Sequence, residues 1–200
     1  MTRHVGERPG RATYRRPMTD PAWAEKTARN MLEEPLPRRW AHTKGVATAA
    51  RTLYGILGDH ADLLLAAAWL HDIGYSPAIA STGFHPLDGA RHLRDAVRAD
   101  ELLCRLVAYH SGAMNEAAAR GLAAELASEF APPPADLADA LTYCDMTTGP
   151  DGQHLSVDAR LAEILGRYGP EHLVSCSITL AAPQLTSAVA RIARRQKQAN

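Results

Sequence analysis

The strongest constraint on this chain is a pattern it lacks. No stretch alternates apolar and polar residues for long enough to make a half-buried strand. Apolar side chains recur instead at three- and four-residue spacing, the period of a helix with one buried face. Alanine and leucine dominate the apolar 46% of the chain, which favours helix over sheet. The expected fold is therefore all-α. The spacing predicts helices over 20–33, 37–57, 60–73, 86–98, 100–111, 113–129, 134–147, 156–168 and 183–197. Glycine and proline punctuate the gaps, at Pro35 and Pro37, Gly58, Gly74 to Pro77, Gly83, Gly112, Pro132 to Pro134, Gly149 to Gly152, Gly169 to Pro170, and Pro183. Thr19 or Asp20 can cap the first helix, with Pro21 in its first turn.

Two hundred residues are enough for one domain with a sizeable core. Lys+Arg and Asp+Glu each number 22, and this neutral balance argues against broad nucleic-acid or membrane-surface binding. Cys104, Cys144 and Cys176 show no CxxC spacing and read as small buried residues of a reduced protein. No apolar run approaches the roughly 20 residues that span a bilayer, and no signal-peptide core stands at the N-terminus. These features predict a cytoplasmic protein. Residues 1–17 hold five arginines and two prolines and read as a flexible tail, with Met18 a candidate start.

Several ionisable residues break the apolar faces. In ADLLLAAAWLHD, His71 falls in line with Leu64, Ala67 and Ala68, and Asp72 follows it at the last turn before Ile73 and Gly74. An aspartate is unfavourable at the negative end of a helix, so a positive partner is expected. His42 precedes Val46, Ala49, Leu53 and Leu57; His110 follows Leu103, Leu106 and Val107; Asp145 follows Leu137 and Leu141. His85 precedes Pro86 and is expected to cap the next helix, with His92 a rival one heptad on. Any one of these residues alone reads as a hydrogen-bonded core group. Together, four histidines and two aspartates need partners if buried. Imidazole and carboxylate without thiolate suit Mn, Fe, Co, Ni or Zn. Six ligands exceed one tetrahedral site and suit two bridged ions.

The segments LPRRWAHTKGVATAA, WLHDIG, FHPLDGARHL, LVAYHSG and ALTYCDMTTG follow the order H…HD…H…H…D across residues 36–150. In this the chain resembles the HD superfamily of metal-dependent phosphohydrolases. The resemblance implies a single helical bundle of about seven to nine helices over 18–200, with the metal-binding core at about 36–150 and further helices over 151–200. It also implies two divalent metal ions, iron or manganese foremost. His42, His71, Asp72 and Asp145 would form the first position, with Asp72 bridging, and His85 and His110 would complete the second. The four-histidine pattern is shared with HD-GYP phosphodiesterases and with bacterial HD hydrolases of dinucleoside tetraphosphates, and the His42 segment looks most like the latter. The GYP triplet is absent.

The expected activity is hydrolysis of a phosphoester or phosphoanhydride in a nucleotide or related small metabolite, by a hydroxide generated on the metal. No serine or cysteine nucleophile is required; Ser111 has no separate base. Asp72 and Arg39 are the expected catalytic residues, Arg39 lying one turn before His42. Arg38, Lys44, Arg91 and Arg160 read as solvated charges or further phosphate contacts, and Thr147, Thr148 and Gly149 as pocket lining or a plain turn. The expected partner is a small phosphorylated molecule, with no nucleic acid and no membrane, and homodimerisation is left open. The same six ligands also occur in HD-fold diiron oxygenases that resemble this pattern. A degenerate pocket that binds nucleotide without turnover is a third reading.

Overall fold

The computed structural model describes residues 19–199, so the Arg-rich segment 1–17 and Met18 lie outside the described residues. The all-α expectation holds. Among the described residues there is no strand, only one isolated β-bridge between Thr148 and His154.

Helix α1 (Pro21–Leu32) opens where Asp20 accepts a hydrogen bond from the Ala22 amide. Its buried Ala24, Ala28 and Leu32, spaced by four, pack on α4. Helix α2 (Pro37–Arg51) follows. The predicted continuation to 57 is broken at Thr52 and Leu53, and α3 (Tyr54–Leu57) is a separate turn. Helix α4 (Ala61–Leu70) is the centre of the molecule. It is buried from Leu63 through Leu70 and touches α1, α2, α6 (Glu101–Tyr109) and α9 (Ala135–Met146). Trp69 stacks on Trp40 of α2 with ring centroids 5.5 Å apart. Each fully buried leucine here contributes roughly 1.5–3 kcal/mol.

The predicted helix 86–98 divides into α5 (His85–Arg91) and a π-helical stretch, His92–Val97, closed by Arg98 in the left-handed conformation. Helix 113–129 divides into α7 (Ala113–Ala119) and α8 (Ala123–Glu129) at Gly121, whose φ of 74° no helix interior accommodates. Helix α10 (Val157–Tyr168) is capped by Ser156.

The last helix departs most from expectation. α11 runs from Leu173 to Ala199 with Pro183 inside it, although the last helix is expected to open only at Pro183. An interior proline costs about 3 kcal/mol or more. Burial of Leu185 and Ile192, at roughly 1.5–3 kcal/mol each, offsets that cost, because α11 lies across α7, α9 and α10. By length and mean hydropathy, 1.4 over its most apolar window, α11 could cross a membrane, which the sequence reading did not anticipate. Part of its apolar side meets Met146 and Ile164 in a second, smaller core, while Leu180 is 74% exposed. Cys104 and Cys144 are buried as expected, but Cys176, at the start of α11, is exposed.

Candidate metal centre

The six predicted ligands converge from five helices. His42 comes from the middle of α2 and Asp145 from the last turn of α9. His71 and Asp72 lie just past α4, which stops at Leu70, so the pair falls outside the helix rather than in its last turn. His110 stands just past α6. His85 does not cap α5 but opens it; Phe84 is the cap residue and Pro86 follows within the first turn. Two triads result: His42, His71 and Asp145, and Asp72, His85 and His110, each with ligand atoms within 4.8 Å of one another. Asp72 joins them. Its Oδ2 lies 3.3 Å from His71 Nε2 and 3.8 Å from His42 Nε2, while its Oδ1 lies 3.3 Å from His85 Nε2 and 3.9 Å from His110 Nε2.

Backbone carbonyls aim the rings. A carbonyl oxygen only accepts, so the ring nitrogen facing it carries the proton. His71 Nδ1–H donates to Ala68 O at 2.8 Å, His110 Nδ1–H to Val107 O at 2.7 Å, and His42 Nδ1–H to Gly149 O at 3.0 Å. The Gly149 carbonyl reaches α2 because the loop after α9 is pressed against that helix: a Cβ on Gly45 would sit 2.6 Å from Gly152 O, and one on Gly152 would sit 2.5 Å from Ala41 O. In each neutral ring the other nitrogen, Nε2, is then a lone pair. These lone pairs point inward. His42 Nε2 is 3.0 Å from Asp145 Oδ1, and the buried His71 Nε2 has no hydrogen-bond partner. Lone pairs and carboxylates facing one another repel unless cations lie between them, and three adjacent buried imidazoliums would be costly. The residues therefore fit divalent metal ions.

The electrostatics agree. Burial opposes ionisation of Asp72, but Arg39 and His71 outweigh it and hold the carboxyl well below its usual range. Burial likewise opposes ionisation of Asp145, and His42, His71 and Arg160 hold that carboxyl far below its usual value. Burial, then His85 and His71, push His110 down to about 3, so it stays neutral. At His71 burial disfavours charge, yet the adjacent Asp72 carboxylate raises its proton affinity above the ordinary histidine value.

The surrounding residues only partly match expectation. Arg39 Nη1 donates to Asp72 Oδ2 at 2.8 Å, and its guanidinium lies 4.0 Å over the Tyr75 ring. Tyr75 stacks on His85 at 3.9 Å. Arg160, read as a solvated charge or a phosphate contact, is only 4% exposed and lies 3.8 Å from Asp145. Arg91 pairs with Glu125 and Glu129, Lys44 sits over Trp40, and Arg38 pairs with Asp151. The Thr147 and Thr148 hydroxyls turn back to the Tyr143 and Cys144 carbonyls at the end of α9. Ser111 was read only as an unsupported nucleophile. It sits at φ 46°, ψ 47° and donates its hydroxyl to Asp145 Oδ2, so it holds a ligand in place. Nothing in the linear sequence marks Ser111 or Tyr75 for these roles beyond their adjacency to His110 and Gly74.

His92 lies in the π-helical stretch and joins neither triad. His92→Ala is therefore expected to leave the metal content of the purified protein unchanged by elemental analysis; a loss of one ion per chain would overturn the choice of His85.

An all-α body with two adjoining His/Asp triads defines a candidate metal-binding protein. A family model described as the HD domain matches residues 39–166, well over half of the chain. The chain belongs to the HD domain family, whose members are mostly metal-dependent hydrolases. The match runs past 150, the expected end of the core, and includes most of α10 with Arg160. No curated protein and no solved structure was matched.

Proposed function

We propose that this protein is a phosphohydrolase that cleaves a phosphoester or phosphoanhydride of a nucleotide or related small metabolite. The observation that carries this reading is the convergence of inward-facing Nε2 lone pairs and two carboxylates on a cavity rimmed by guanidinium groups. Two divalent ions, iron or manganese foremost, would be held by His42, His71, Asp72, His85, His110 and Asp145; when bound, they acidify water and neutralise phosphoryl charge.

The protein's own residues do the rest. Arg39 and Arg160 line the cavity and stand ready to contact phosphoryl oxygens. Tyr75, stacked between Arg39 and His85, fixes both. Ser111 holds the Asp145 carboxylate. Met146, Ile164, Val174 and Ile178 form an apolar wall that limits water. The Ser111 hydroxyl is engaged by Asp145, and burial pushes the Cys144 thiol up, so neither competes as a nucleophile.

The test is phosphate release from a panel of nucleotides and small phosphoesters, using protein purified anaerobically and loaded with Mn or Fe(II). Release that vanishes in Asp72→Asn is expected. A folded, metal-loaded protein that releases no phosphate but consumes oxygen in its mixed-valent iron form would transfer the assignment to an oxygenase.

A further inference from the structure

The cavity at the metal centre has a volume of about 90 Å³, roughly three water volumes. A single phosphoryl group fits there, and a larger substrate must extend beyond it. Beside it, between the start of α2 and α10, lies a second cavity of about 310 Å³, within the range of small-molecule sites. Arg39, Arg160 and Arg167 line both cavities and so stand at the junction between them. Arg38 adds a fourth guanidinium to the outer one, while Leu36, Pro37 and Pro150 give it apolar walls. Among the described residues no carboxylate lines this outer cavity, though Asp151 pairs with Arg38 beside it.

Arg160 and Arg167, seven residues apart on one face of α10, share Glu163, and Arg160 also lies 3.8 Å from Asp145. The Nε of Arg160 is buried without a hydrogen-bond partner, although a guanidinium has five N–H donors to satisfy. A buried unpaired donor among clustered guanidinium groups is the chemistry of an anion site, and the planar guanidinium matches phosphate oxygens in pairs.

We propose that the outer cavity binds a second phosphoryl group of the substrate, so that the preferred substrates are organic phosphoanhydrides rather than monoesters. This rests on the hydrolase reading above. The scissile phosphorus lies at the metal centre, and the neighbouring phosphoryl group lies on Arg160 and Arg167. The organic end lies against Leu36, Pro37 and Pro150. Water oxygen bonds to the scissile phosphorus and releases a proton to solvent, the bond to the bridging oxygen breaks, and the departing organic phosphate keeps the electron pair.

The test is calorimetric binding of inorganic phosphate and of imidodiphosphate, a non-hydrolysable two-phosphoryl probe, to the Mn-loaded protein with free Mn held in excess. Arg167→Gln is the variant, because this partly exposed side chain can change without disturbing the core. Loss of its charged contact is expected to weaken imidodiphosphate by about tenfold or more, and inorganic phosphate less than twofold. Equal weakening of both probes, or of neither, overturns the second site. The hydrolase reading is judged separately by phosphate release: release without selective weakening removes only the second site. Selective weakening without release removes the hydrolase reading and leaves an anion site.

Discussion

Asp72→Asn will leave the helices in place and strip the centre of its ions. Asparagine preserves size and can still offer one oxygen to Arg39, so circular dichroism should be unchanged. It cannot present negative charge to both triads, which Asp72 does with Oδ2 toward His42 and His71 and Oδ1 toward His85 and His110. Breaking a buried charge interaction costs about 3–5 kcal/mol, and each 1.4 kcal/mol is tenfold in affinity. Metal affinity should therefore fall by at least about a hundredfold, with phosphohydrolase activity lost alongside it. Competition against a fluorescent chelator measures the first effect. Retention of both ions at native affinity would remove Asp72 from its bridging position.

The second large effect is expected at a residue with no functional group. A Cβ on Gly74 would lie 1.9 Å from His85 O and 2.8 Å from Gly89 N, both backbone atoms of α5 that cannot rotate away. Glycine is needed here for close approach, since it lets α5 rest directly on the turn that carries His71 and Asp72. In Gly74→Ala, the first turn of α5 must shift, and His85 with it. Overpacking of this kind costs typically about 1–3 kcal/mol, which for a chain of this size lowers Tm by roughly 2–12 °C. The functional effect should be one-sided. The triad of His42, His71 and Asp145 contains no residue of α5 and should keep its ion, while the triad containing His85 loses its own. Elemental analysis should then approach one ion per chain. Two ions with native activity would mean that α5 relaxes without moving His85.

Much of this arrangement was readable from residue spacing, and the exceptions have specific physical causes. Helical period identified α1, α4, α9 and α10 closely because each carries an apolar stripe bounded by a cap or breaker. It overran at Thr52 and Gly121, where the apolar spacing continues but the backbone turns. It missed the first third of α11, because a proline that stops an isolated helix is tolerated where buried residues flank it, here Ala181 and Leu185. The six candidate ligands were visible as ionisable residues on apolar faces. Arg160 was not distinguished from a solvated charge, because its burial depends on α10 lying beside α9, a contact between segments that no local spacing encodes. Ser111 depends on a left-handed backbone turn that favours glycine and that sequence does not announce.

The carbonyls that hold His71 and His110 belong to residues only three positions earlier in the chain, Ala68 and Val107. Each ring is thus oriented by its own helix end, before any distant segment arrives. Rotational freedom at these rings is surrendered when the helices form, and an incoming ion need not impose order on them. In a zinc finger the opposite holds, and metal binding is itself the folding reaction. Here two of the ligand rings take their orientation from local backbone bonds that no ion has to supply.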